Sequence, residues 1–159
     1  MIVLIVYGTN SGGTQEVAEA IARALTAHEH SVTVKRANEA TLDDIAVSDL
    51  IILGSCSWDR DDGKQRHEGQ LQEHMYAFAN SLAGKTFPEK KFAVFGLGDK
   101  SYTLYCGAID HLEDLVRKVQ GQKVGESLRI DGYFFNLPAN QENAQKWAES
   151  LEKGLYIEK

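Results

Sequence analysis

The chain has 159 residues, with 17 Lys and Arg against 23 Asp and Glu, for a formal net charge of −6. That length suits one domain, 1–159, since a chain of ~150 residues buries roughly 70% of its unfolded surface. A hydrophobic fraction of 43% with only 2 Pro and 14 Gly excludes disordered and collagen-like chains, and the acidic balance argues against a nucleic-acid partner, whose phosphates need Lys and Arg.

The first apolar run, Ile2–Tyr7, is far short of the ~20 residues that span a bilayer. No basic segment precedes it, so it does not read as a signal peptide, and a cytoplasmic location is expected. Apolar at nearly every position and closed by Gly8, the run reads as a strand buried on both faces. After Thr14, the residues Val17, Ala18, Ile21, Ala22 and Leu25 share one helical face. His28 and His30 fall at the end of that helix, where a protonated imidazole suits the dipole.

A second strand is expected at Ser31–Lys35, a short helix at Ala40–Ala46 and a third strand at Leu50–Leu53. The polar stretch Asp59–Gln70 has no periodicity and reads as a long loop. Leu71, Met75, Phe78 and Leu82 then mark a third helix. Phe92–Phe95 marks a fourth strand, and Ile109, Leu112, Val116 and Val119 a fourth helix. A weaker strand follows near Leu128–Ile130. The last helix spans about Asn140–Leu151, with Ala144, Trp147, Ala148 and Leu151 on its apolar face. Strands alternating with helices predict an α/β fold, a doubly wound five-stranded parallel sheet in a three-layer α/β/α sandwich.

In such a sheet, ligands bind beyond the carboxyl ends of the strands. After the first strand comes Gly8-Thr9-Asn10-Ser11-Gly12-Gly13-Thr14, opening directly into a helix. The loop offers hydroxyls, backbone amides and a positive helix end without any Lys or Arg, the parts of a neutral-donor phosphate site. It is neither a Walker A loop nor a G-x-G-x-x-G fingerprint; the alternative is a turn that merely joins strand to helix. After the third strand comes Gly54-Ser55-Cys56-Ser57-Trp58-Asp59, where Trp58 stands in a polar loop and could stack on a flat ring. After the fourth strand, the loop from Gly96 to Gly107 supplies a second aromatic, Tyr102. A phosphate loop with two aromatics on neighbouring loops describes a slot for a planar, phosphorylated cofactor.

The segments Tyr7 to Thr14, Ser57-Trp58, Gly96-Leu97-Gly98-Asp99-Lys100-Ser101-Tyr102 and Tyr105-Cys106-Gly107-Ala108 resemble those of the flavodoxins, small FMN-binding electron carriers. The resemblance covers nearly the whole chain, and it implies the strand order 2-1-3-4-5. No extra strand interrupts the fifth, as in the short-chain kind. It further implies that Thr9, Asn10, Ser11, Gly12, Gly13 and Thr14 hold the FMN phosphate. Ser55, Cys56, Ser57, Trp58 and Asp59 would lie along one side of the ring, with Trp58 stacked on its inner face. Leu97, Gly98 and Asp99 would approach with backbone amides, Tyr102 would stack on the outer face, and Cys106 at the loop's end counts among the cofactor-binding residues.

The chain departs from the family in four ways. Gly13 stands where Asn or Asp is common, Asp59 follows the Trp where Gly is common, the segment Asp59–Gln70 is long, and −6 is mild for this family. The function implied is a low-potential one-electron shuttle, a monomer passing electrons between a flavodoxin reductase and acceptor enzymes. Two other readings are an FMN-dependent reductase of small acceptors and a flavodoxin-like regulatory or activator module for a partner enzyme. Against the reductase, no His/Tyr pair or second basic site offers to hold a nicotinamide nucleotide.

Cys56 and Cys106 are expected as free thiols that pack as small apolar groups. No metal site is expected: His67 and His74 lie among scattered carboxylates and read as solvated surface.

Overall fold

The computed structural model describes residues 1–61, 63–64, 66–98 and 106–157, the side chains of 58–61, 66–68 and 156–157 excepted. In chain order the elements are β1 (Ile2–Gly8), α1 (Gly13–Ala27), β2 (Ser31–Arg36), α2 (Leu42–Ala46), β3 (Leu50–Asp61) and β4 (Arg66–Leu71). They continue with α3 (Glu73–Ser81), β5 (Lys91–Gly98), α4 (Gly107–Lys118), β6 (Gln122–Lys123), β7 (Leu128–Asp131), a 3-10 turn at Tyr133–Phe135 and α5 (Leu137–Ile157).

The parallel ladder runs β2-β1-β3-β5, and both β6 and β7 pair with β5. With β5 as the fourth parallel strand and β6 and β7 sharing the fifth position, this is the expected 2-1-3-4-5 order. The unbroken apolar runs are explained by two-sided burial, because successive side chains of a strand face opposite ways. Val3, Ile5, Tyr7, Leu50, Ile52, Ala93 and Phe95 enter the core under α1 and α5, which also takes Val17, Ile21, Ala144 and Leu151. Leu4, Val6, Ile51, Leu53, Phe92 and Val94 enter the opposite core, with Ile45, Met75, Phe78, Ile109 and Leu112.

The Asp59–Gln70 segment departs from its expectation. The third strand runs on to Asp61, and the chain returns as antiparallel β4, pairing Trp58 with Gln70 and Arg60 with His67. The register shifts between Trp58 and Arg60, so Asp59 lies opposite two residues of β4, Glu68 and Gly69, across a bulge. The turn uses Gly63 at φ +82°, a conformation glycine adopts without strain. Leu71 therefore ends a strand instead of opening α3, although it remains in the same core with 4% exposure. An edge hairpin of charged residues carries no apolar alternation, and so left no periodic signal.

Three further differences are local. The short second helix is confined to Leu42–Ala46 because Thr41 and Asp44 close a capping box in front of it. The fifth strand is in two pieces, Gln122–Lys123 and Leu128–Asp131. His28 is the exposed residue after α1, whereas His30 is buried and its Nε2 meets the Glu152 carboxylate of α5. Its surroundings are thus a buried pair instead of a solvated helix end. Trp147 is half-buried, edge-on to Phe95 at 6.4 Å, and its indole N–H donates to the Glu126 carbonyl. No helix among the described residues is long and apolar enough to cross a membrane.

Candidate functional site

The carboxyl ends of β1, β3 and β5 bring the loop before α1, the arm from Ser55 to Asp59 and the segment Leu97–Gly98 to one end of the sheet. Gly8 pairs with Ser55, and Ser55 with Gly96. Close approach is built into these strand ends. A Cβ on Gly8 would lie 2.4 Å from Gln72 Oε1, and one on Gly98 would lie 2.7 Å from the Cys106 amide nitrogen.

Between β1 and α1, Gly12 takes φ +87° with open space where a side chain would stand. Its amide donates to Thr9 Oγ1 at 2.9 Å, and its carbonyl accepts from Glu16 at 3.1 Å, so Gly12 closes the loop and begins the helix. No side chain caps α1, which leaves the amides of its first turn turned to the loop. Thr14 lies inside the helix, so its hydroxyl is not the cap. The residue is 1% exposed, yet its Oγ1 makes no hydrogen bond. The Cys56 thiol lies near enough for the Thr14 hydroxyl to influence it, but the two do not meet with hydrogen-bond geometry. A buried hydroxyl without a partner is costly. Here it sits beside open amides at the positive end of a fifteen-residue helix, an arrangement suited to an anion.

The other expected residues divide into groups. Ser55 is fully buried, and its hydroxyl is used within the protein, donating to the Cys56 carbonyl at 2.8 Å and accepting from the Gln72 amide at 2.9 Å. Ser57 Oγ accepts from the Ala108 amide at 3.1 Å, fastening β3 to the first turn of α4. The Cys56 thiol is half-buried beside the Asn10 amide; burial pushes its pKa up, while the nearby Asn10 and Cys56 amides and the Thr14 hydroxyl pull the other way. Cys106 is fully buried at φ 51° before α4, its Sγ 3.7 Å from the Gly96 carbonyl and 3.8 Å from that of Ile130. Both cysteines are free thiols.

Leu97 packs on the loop, 3.2 Å from where a Gly13 Cβ would stand, and Tyr133 and Phe134 approach the same point at 3.1 and 3.3 Å. Trp58 and Asp59 are placed on the hairpin by their backbone. Asp99 and Tyr102 lie outside the described residues, as do the side chains of Trp58 and Asp59. Among the described residues no three His, Cys, Asp or Glu gather to hold a metal.

Sequence reading missed Gln72 and Tyr133. Gln72 is 2% exposed and caps α3, its Oε1 accepting from the His74 and Met75 amides at 2.9 and 3.2 Å. A polar residue just before a helical run was its available signal. Tyr133 is buried in the 3-10 turn and carries the phenyl ring of Phe134 edge-on at 5.2 Å. Phe135 beside them is 89% exposed.

The profile of the flavodoxin family matches residues 5–134. A flavodoxin of Maridesulfovibrio salexigens is 34% identical over 130 residues, 81% of this chain and 85% of its own length. The probable flavodoxin 2 of Bacillus subtilis is 30% identical over 146 residues, 90% of this chain and 87% of its own. Among solved structures, oxidised flavodoxin 2 of Bacillus cereus superposes with a TM-score of 0.83 at 28% identity, over 96% of this chain and 99% of that one. With strand order, loop chemistry and sequence all in agreement, the chain belongs to the flavodoxin family.

Proposed function

We propose that the chain is a one-electron carrier that holds FMN non-covalently across the β1, β3 and β5 strand ends, with its phosphate in the loop Thr9–Thr14. The observation that carries this reading is the buried Thr14 hydroxyl, unpartnered beside the uncapped amides of α1. These donors are neutral, so a phosphate dianion is met by directed hydrogen bonds and the helix dipole instead of by a cation. A polar side chain at position 13 would press on Tyr133, Leu97 and Phe134; glycine leaves that wall intact, and its backbone amide remains a donor for the phosphate.

Bound FMN supplies the redox chemistry, taking up and giving away electrons one at a time. The protein's part is to hold and orient it. Trp58 and Asp59 on the hairpin, Leu97 and Gly98 at the end of β5 with Asp99 next in sequence, and Tyr102 are the residues proposed to flank the ring. Ser55 and Ser57 act one step back, fixing β3 to α3 and α4 by the hydrogen bonds described above. Flavodoxins are electron carriers; for this chain we propose a monomer in the cytoplasm, serving a reductase and acceptor enzymes.

The test is a titration of apoprotein with FMN and with riboflavin, followed by flavin fluorescence. Charge-assisted hydrogen bonds contribute ~1.5–3 kcal/mol each, so two of them make FMN bind at least about a hundredfold more tightly. Equal affinities would remove the phosphate from the loop. In a second arm, the loaded protein mixed with NADPH alone should leave it unoxidised over many seconds. Rapid oxidation would favour the reductase reading instead.

A further inference from the structure

The buried amide of Gln72 has each of its ends committed. The His74 and Met75 amides can only donate, so the group facing them at 2.9 and 3.2 Å is the oxygen, Oε1. Nε2 therefore faces the loop between β1 and α1. There it donates to the Thr9 carbonyl at 3.4 Å and to Asn10 Oδ1 at 3.2 Å. A donor at that place selects which end of the exposed Asn10 amide turns inward. Oδ1 is held by Gln72, which leaves the Asn10 NH2 group as the end available to a ligand of the loop.

The placement leaves little freedom. Gln72 is 2% exposed, its own amide is bound by Ser55 Oγ, and Gly8 provides the space for its Oε1. The N–H groups at the start of α3 that donate to Oε1 thus set the orientation of Gln72, and Gln72 sets that of Asn10 across the strand ends.

We propose that Gln72 is a positioning residue for anion selectivity: it aims the Asn10 amide as a donor, so that the loop between β1 and α1 favours a phosphorylated flavin over an unphosphorylated one. The inference rests on the reading that this loop takes the FMN phosphate. Replacing Gln72 by Glu keeps the length and the oxygen that caps α3, but at pH 8 the second oxygen can only accept. Asn10 must then turn its NH2 inward and present Oδ1, an acceptor, towards the anion.

Apoprotein carrying Gln72→Glu is titrated with FMN and riboflavin at pH 8, with melting followed in parallel. FMN affinity should fall about tenfold or more while riboflavin affinity stays within about twofold. Asn10→Ala, at an exposed position, should lower FMN affinity and spare riboflavin whether or not the Gln72 variant folds. In the Asn10→Ala background, Gln72→Glu should add less than about a threefold loss, since coupled residues are not additive. Equal losses for both flavins, an indifferent Asn10→Ala, or a full Gln72→Glu loss without Asn10 would each overturn the proposal, the last by assigning the effect to the added charge. The unaltered protein separates the two failures. If it binds both flavins alike, the phosphate reading fails; if it prefers FMN and the variants keep that preference, the role of Gln72 fails.

Discussion

Thr14→Val should weaken FMN binding by roughly 10- to 100-fold while leaving riboflavin binding nearly unchanged, because a hydrogen bond to a charged group contributes ~1.5–3 kcal/mol. Valine keeps the shape and the branched β-carbon, so the variant removes the hydroxyl and little else. The same change should act with the opposite sign on the apoprotein. Thr14 Oγ1 is buried and unpartnered there, and removing such a group gains back a desolvation cost of about 1 kcal/mol or more. Chemical denaturation of apoprotein and FMN titration together read both signs. A destabilised apoprotein with equal losses for the two flavins would make Thr14 an ordinary packing residue of α1.

Gly54→Ala should be among the most damaging single changes in the sheet. An added Cβ would stand 1.9, 2.2 and 2.4 Å from three atoms of the Phe95 ring, paired beside it in β5. Phe95 is fully buried and meets Trp147 edge-on at 6.4 Å, so the ring retreats only by displacing packed neighbours. Overpacking typically costs ~1–3 kcal/mol, and contacts this short place the expected loss at about 3 kcal/mol, read as a lower urea midpoint. Phe95→Leu on the same background should recover part of it. A loss below about 1 kcal/mol would mean that the ring shifts freely.

The parallel sheet was legible because its residues leave no choice of face. Val3 and Leu4, or Ile51 and Ile52, are both apolar although they point to opposite cores, and only a strand covered on both sides accounts for that. The loop between β1 and α1 was legible as a run of hydroxyls and glycines opening directly into a helix, and the structure begins α1 directly after Gly12, at φ +87°. The hairpin was hidden because the stretch from Asp59 to Gln70 carries no apolar alternation, and only Leu71 at its end belongs to the core. Gln72 was hidden more deeply. Its role depends on Thr9 and Asn10, 63 and 62 positions away in the chain, and a single polar letter before a helix does not name partners at that distance. Gly13 could be read from sequence only as a departure from the family; the wall of Tyr133, Leu97 and Phe134 supplies its reason.

The divided fifth strand makes a natural port for added sequence. Gln122 and Lys123 pair with the start of β5, and Val124 adds one more bond to Phe92 at 2.8 Å. Leu128 to Asp131 pair independently with its end. Between them Gly125 and Glu126 are exposed, so an insertion there disturbs neither register. Closing a longer loop costs only ~0.6 kcal/mol for each doubling of its length. The carboxyl ends of β1, β3 and β5 would be untouched, so lineages could graft a new module at this seam, and engineers could do the same, without redesigning the loop proposed to hold the phosphate.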